Sequence, residues 1–291
     1  MNNNSIEQHK KFIDIEQLIK NKNAALHRLM PRFVISYLKK ILHEDRINSD
    51  IERNLDKYDF DFIDPILDSF GVDVECKNIE KIPAEGRYTI ASNHPLGGLD
   101  GLALIQVTGK RKKNVKFLVN DLLLNLKNLQ NLFLPVNKVG SNTKEAAILI
   151  EEAYKSDALI LTFPFGLVSR KRKGQIKDLE WRRNFLVKSR IHKRSIIPVY
   201  IEGRNSPHFY FISNFRKFLG IKANIEMFFL VDEMYRQNNK TIKITIGNPI
   251  DINLFDSSFT DTEWSEKLRQ YVYCLKNDPE LDFLKYIKNT K

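Results

Sequence analysis

From residue 72 onward the chain alternates short β-branched or aromatic runs with longer amphipathic stretches. That alternation constrains the fold more than anything else in the sequence. "RYTIAS", "VKFLV", "LFLPV", "ALILTF", "IIPVYIEG" and "IEMFFLV" are compact apolar runs suited to buried strands. "KTIKITIG" alternates as a partly exposed strand. "TKEAAILIEEAYKS", with Thr143 placed to cap it, "DLEWRRNFLVKSRIHK" and "DTEWSEKLRQYVYCLK" read as helices. This order predicts an α/β fold, a mixed, mostly parallel sheet flanked by helices. Residues 6–70 differ. There "FIDIEQLIKNKNAALHRLM" and "RFVISYLKKILHEDRI" space apolar residues three and four apart, Pro31 separates them, and "FDFIDPILDSFG" adds an element that Gly71 closes. An N-terminal helical layer over 1–71 is expected ahead of an α/β domain over 72–291. No Gly-, Pro- or Ser-rich linker divides them, so one integrated unit is expected.

Charge narrows the function classes. Forty-seven Lys and Arg against 36 Asp and Glu leave +11 over 291 residues, which favours polyanionic partners: nucleic acid, anionic lipid, an acidic carrier protein or a phosphorylated substrate. A nucleic-acid-binding protein is one reading of that charge, but no reader motif accompanies it. The N-terminus lacks the apolar run of a secretory signal, and no stretch reaches the roughly 18 apolar residues of a membrane-spanning helix. Cys76 and Cys274 stand apart, as buried thiols of a reducing compartment do. The expected location is cytoplasmic, with peripheral contact at the inner face of the membrane. "RFVISYLKKIL" (32–42) and "HFYFISNFRKFLG" (208–220) mix aromatic or aliphatic residues with Lys and Arg. They suit either a core or an anionic lipid interface.

"SNHPLGGLD", residues 92–100, places His94 and Asp100 six positions apart at a strand-to-helix turn. Pro95, Gly97 and Gly98 disfavour a continuous helix at its start, so the loop is able to fold Asp100 back towards the imidazole. A carboxylate on one ring nitrogen fixes the tautomer and leaves the other as a general base. A structural histidine at a strand end is the competing reading. No second His or Cys lies nearby at ligand spacing, so a metal site is not expected.

The segment resembles the first block, the HX4D motif, of the glycerolipid acyltransferases, which acylate glycerol-phosphate and lysophospholipids. "NHPLGGLDG" is most similar to their bacterial hemolysin-like branch. Three further blocks follow in order. "LFLPVNKVG" carries Lys138 where most members have Arg. "FPFGLVSRKRKG" supplies Phe163, Pro164, Gly166, Ser169 and Arg170, with Phe165 in place of the usual Glu. "IIPVYIEG" carries Pro198. The resemblance spans roughly residues 80–250.

The resemblance implies that His94 deprotonates the acceptor, that Asp100 holds its ring, and that no covalent enzyme intermediate forms. The acyl donor would be a thioester of acyl carrier protein or coenzyme A, with no other cofactor. Asn93, Lys138, Phe163, Pro164, Gly166, Ser169 and Arg170 would bind substrate, with Lys138 and Arg170 on its anionic part. The implied reaction moves a fatty acyl group to a lysophospholipid or related lipid acceptor in membrane lipid biosynthesis. Phe165 removes a carboxylate associated with glycerol-phosphate acceptors, so N-acylation of an amino-acid head group is the alternative. "GQIKDLEW", just beyond, also resembles the pattern of that branch, while Asp178 and Trp181 within it read equally as cap and packing residues of the next helix.

Overall fold

A computed structural model describes residues 11–120, 123–136 and 143–290. The chain divides into two compact units, with the boundary between Asp56 and Lys57. The first is helical: α1 (Ile15–Lys22), α2 (Ala24–Leu29), α3 (Arg32–Ile41) and α4 (Glu44–Glu52). Pro31 opens α3, where its missing N–H costs nothing. Glu44 is buried and accepts from the Ile15 backbone N–H at 2.8 Å and from Lys11. Helix α3 buries Ile35 and leaves Phe33 and Tyr37 exposed.

The second unit runs α5 (Phe60–Phe70), β1 (Val72–Lys77), β2 (Tyr88–Ser92), α6 (Gly98–Gly109), β3 (Val115–Val119), β4 (Phe133–Pro135), α7 (Lys144–Lys155), β5 (Leu159–Thr162), β6 (Arg170–Arg172), β7 (Gln175–Lys177) and α8 (Asn184–Ile191). It continues with β8 (Ser195–Ile201), α9 (Pro207–Phe218), α10 (Leu230–Tyr235), β9 (Lys240–Ile246), α11 (Asp261–Cys274) and α12 (Phe283–Asn289). Seven strands form one sheet in the order β1-β9-β8-β2-β5-β3-β4. Every neighbouring pair is parallel except β8 with β9, so the sheet is mixed and mostly parallel, as the alternation predicts. Strand β2 lies inside it, Ile90 pairing with Ile197 on one side and Leu161 on the other. Its carboxyl end therefore opens where α/β sheets commonly bind ligands.

Helix α5, counted with the N-terminal region from sequence, lies in this second unit. Phe62, Ile63, Ile66, Leu67 and Phe70 are buried, and the helix packs on α6 and β1. Gly71 ends it in the left-handed region at φ 64°, and Thr143 caps α7 by accepting from the Ala146 N–H.

One expectation fails. "IEMFFLV" is not a strand: Ile225–Phe229 is a 3-10 turn leading into α10. Glu226 within that run is buried and bonded to arginines, which a strand in a dry sheet would not allow. The basic stretch "SRKRKG" enters an antiparallel hairpin, β6–β7, outside the main sheet.

Candidate active site

Strand β2 ends at Ser92, and the chain turns at once into α6. Asn93 is buried, its side chain donating to the Ile201 carbonyl at 2.8 Å and accepting from the Ile201 N–H at 2.7 Å. It thus ties the carboxyl ends of β2 and β8 together, and both of its polar atoms are committed to that tie. His94 follows. Gly97 then adopts φ 88°, a conformation L side chains rarely take, which lets α6 start at Gly98 and swings Asp100 back under the loop.

Asp100 is 0% exposed, and its Oδ2 is shared by three groups: the His94 ring at Nδ1, 2.9 Å away, and the backbone N–H groups of Leu96 and Gly97 at 2.7 and 3.0 Å. Burial pushes its carboxyl up from the ordinary range, and the bonds from His94 and the two backbone amides pull it back. The anionic form fits three donors, so Nδ1 carries the proton and Nε2 keeps a lone pair. The His94 ring stacks on Phe163 at 4.0 Å and is 17% exposed, reachable from outside while its partner is not.

The sequence motif needs one correction. Five residues, Pro95 to Leu99, lie between His94 and Asp100, one more than the HX4D spacing allows. The additional residue is absorbed by the Gly97 turn, so ring and carboxylate still meet.

The third block wraps the same loop. Gly166 N–H donates to the Phe163 carbonyl at 2.8 Å, closing the turn around Pro164. Phe165 is buried among Trp181, Phe185 and Ile252. A glutamate side chain there would be unpaired in an apolar cluster, which accounts for the departure at this position. Ser169 N–H donates to the His94 carbonyl at 2.7 Å. Arg170 is 3% exposed, its guanidinium bonded to the Val168 carbonyl at 2.6 Å and to Glu226 at 2.8 Å. Glu226, fully buried, also accepts from Arg216 of α9. The Arg170 guanidinium is therefore spent on joining the hairpin to α9. Lys138 lies outside the described residues.

The charge of "RKRK" is distributed by strand alternation. Arg172 and Lys177 line one cleft of about 300 Å³, together with Asp178, Glu266 and Arg269. Lys171 and Ile176 line another of about 520 Å³, with Arg204, Tyr210, Arg236 and Lys240. Asn205, on the wall of this second cleft, donates to the Pro95 carbonyl at 3.3 Å, so the cleft abuts the His94 turn. Lys177, Arg204, Arg236, Lys240 and Arg269 were not singled out from sequence. Period-two alternation across "RKRKGQIK" was the available signal for Lys177. For Glu226 the signal was a lone carboxylate in an apolar run, which must find a partner when buried.

Arg170→Ala is expected to lower stability by about 2–4 kcal/mol, because it strips one of two arginines from a buried carboxylate. The denaturant midpoint measures this. An unchanged midpoint would show that the Glu226 network contributes nothing.

The family model described as "Acyltransferase" matches residues 17–282. The chain belongs to this family. Among curated proteins, it is 44% identical over 265 residues to the lyso-glycine lipid O-acyltransferase of Bacteroides thetaiotaomicron, covering 91% of this chain and 97% of that one. It is 43% identical to the protein of the same name from Phocaeicola vulgatus, covering 91% and 95%. Among solved structures, the 1-acyl-sn-glycerophosphate acyltransferase PlsC from Thermotoga maritima matches with TM-score 0.49 and 16% identity, covering 90% of this chain and 93% of that chain. The resemblance carried by the four sequence blocks thus holds for the family, and the chain is an acyltransferase enzyme. His94 and Asp100 stand together at the carboxyl end of β2 in this acyltransferase.

Proposed function

We propose that this acyltransferase moves a fatty acyl group from a thioester of acyl carrier protein or coenzyme A to the hydroxyl of a single-chain lipid bearing a glycine or similar amino-acid head group. One observation carries the reading: a buried carboxylate holds Nδ1 of a partly exposed histidine, leaving Nε2 free to take a hydroxyl proton. The acceptor oxygen attacks the thioester carbonyl as His94 Nε2 removes its proton. The tetrahedral intermediate then collapses, the C–S bond breaks, and the imidazolium returns the proton to the leaving thiolate. Asp100 offsets the positive charge that the ring carries between these steps. The basic clefts on either side of β6–β7 suit the anionic groups of donor and acceptor.

The acceptor is argued from the relatives, both O-acyltransferases acting on a lyso-glycine lipid over nearly their whole length. That favours an ester product over the amide of the N-acyl alternative, and an amino-acid lipid over a lysophospholipid. The test supplies purified protein with acyl-CoA or acylated carrier protein and a panel of lyso-glycine lipid, lysophospholipids and free amino acids. The expected product is a diacyl lipid whose new bond is cleaved by mild alkali. An alkali-stable product, or transfer confined to lysophospholipid, would contradict the reading.

Such an acceptor resides in a bilayer, and no helix among the described residues is long and apolar enough to cross one. We place the protein peripherally on the anionic cytoplasmic face. The aromatic residues of helix α9 are divided between core and surface, and the exposed ones support this placement. Phe209 and Tyr210 are buried, whereas Phe211, Phe215 and Phe218 are exposed on one side, the first two stacked at 5.7 Å. Lys217 and Lys222 are exposed close by, while Arg216 is engaged by Glu226. Replacing Phe211, Phe215 and Phe218 with Ser is expected to lower vesicle binding at high salt by at least about tenfold. Lys217→Glu with Lys222→Glu should weaken binding mainly at low salt and only to anionic vesicles. Liposome sedimentation reads both. Equal recovery of wild type and the Ser variant at high salt would remove α9 from the membrane contact.

A further inference from the structure

Asp178 does not cap helix α8. It lies six residues ahead of Asn184, and the cap position is Arg183, which makes no side-chain cap bond. Asp178 is instead turned into the His94 loop. It is 1% exposed, and its Oδ1 accepts from Ser169 Oγ at 2.6 Å and from the backbone N–H of His94 at 3.3 Å. Its Oδ2 accepts from Trp181 Nε1 at 2.8 Å. Ser169 in turn donates its backbone N–H to the His94 carbonyl at 2.7 Å, so the Ser169–Asp178 pair grips both main-chain polar groups of the histidine. The carboxylate is itself anchored from α11: its backbone N–H donates to the Tyr273 hydroxyl at 2.7 Å, and its carbonyl accepts from Arg269 at 2.9 Å.

All of this lies outside the ring contact that Asp100 makes. We infer that Asp178 is a second positioning residue for His94, fixing the histidine main chain where Asp100 fixes the ring and placing a buried negative charge close to the imidazole. The inference rests on the reading of His94 as the general base. Three donors converge on two oxygens, which matches the ionised form. Burial pushes the carboxyl up, while the bonds from Ser169 and Trp181 and the charge of the imidazole act against that shift. The other charged or titratable groups facing this spot are Asp100 from α6, and Arg269 and Tyr273 from α11, with Arg269 already paired to Glu266.

Two consequences follow that simple packing would not produce. A charge at short range in a poorly solvated site favours the imidazolium, so its removal lowers the pH at which His94 titrates. A main-chain grip places Nε2 against the reacting atoms, so its loss falls on kcat more than on KM.

The experiment is an NMR titration of the histidine ring resonances in Asp178→Asn and wild type, with His94 assigned from its absence in His94→Ala, beside steady-state kinetics of the same proteins. Asp178→Asn is expected to lower the His94 midpoint by about half a pH unit or more. It should also reduce kcat about 10- to 100-fold, with KM for both substrates changed less than about threefold. Ser169→Ala keeps the carboxylate and removes one bond, so kcat should fall about three- to tenfold with the midpoint unchanged. If Asp178→Asn does not fold, that variant carries the kinetic test alone. A His94 midpoint identical in folded Asp178→Asn and wild type overturns the inference, as does an unchanged kcat in Ser169→Ala. The titration needs no substrate. Failure of the wild type to transfer acyl groups to any acceptor would count against the proposed function, not against Asp178.

Discussion

His94→Ala is expected to lower kcat by about a thousandfold, within the range for removing a general acid–base group, while the protein stays folded. The ring lies at the mouth of the site, stacked on Phe163, and among the described residues its hydrogen bond is to Asp100. Its removal leaves the Asn93 tie between β2 and β8 intact, and the main-chain bonds of residue 94 to Ser169 and Asp178 survive the substitution. Circular dichroism and thermal melting should therefore resemble wild type. Substrate affinities should change little, because the base acts in the transition state rather than in binding. Activity within tenfold of wild type in this folded variant would mean that the proton is taken elsewhere.

Asp100→Asn is expected to cost about 100- to 1,000-fold in kcat through a different atom. The carboxylate accepts from the ring and from two backbone amides at one oxygen. An amide at this position has one oxygen and one NH2. If the oxygen holds the place of Oδ2, it accepts the same three bonds without the charge; if the NH2 holds it, it presents a donor to the ring and selects the tautomer with the proton on Nε2. That tautomer is unable to accept the hydroxyl proton. The charge that stabilises the imidazolium is lost as well. Because both substitutions disable one unit, the double variant should be no slower than His94→Ala alone. Additive losses would show that Asp100 acts independently of the ring.

Much of the fold was legible because burial imposes a period. "VKFLV" is β3 at Val115–Val119, and the runs around Tyr88, Leu159 and Ser195 are strands β2, β5 and β8. "IEMFFLV" misled because a short apolar run looks the same as strand or helix until its partners are known. Those partners, Arg170 and Arg216, come from a hairpin and from α9, the first 56 residues away in sequence. The same remoteness hid what Arg170 does. Its type and its place in a basic stretch pointed to an anionic ligand, but the partner that engages it is a glutamate contributed by another element. Asp178 was visible as a residue, not as a contact of His94, since 84 positions separate the two. The dyad was readable because six positions and a Gly97 turn keep it local.

On the proposed function, His94 activates a lipid hydroxyl for direct attack on an acyl thioester. Thiol release and acyl-lipid formation, measured together with a lyso-glycine lipid and with its analogue lacking the free hydroxyl, decide this. Wild type should release one thiol for each diacyl lipid formed, and both signals should vanish with the analogue and in His94→Ala. Undiminished thiol release with the analogue, or acyl transfer to an amine in place of the hydroxyl, would contradict it.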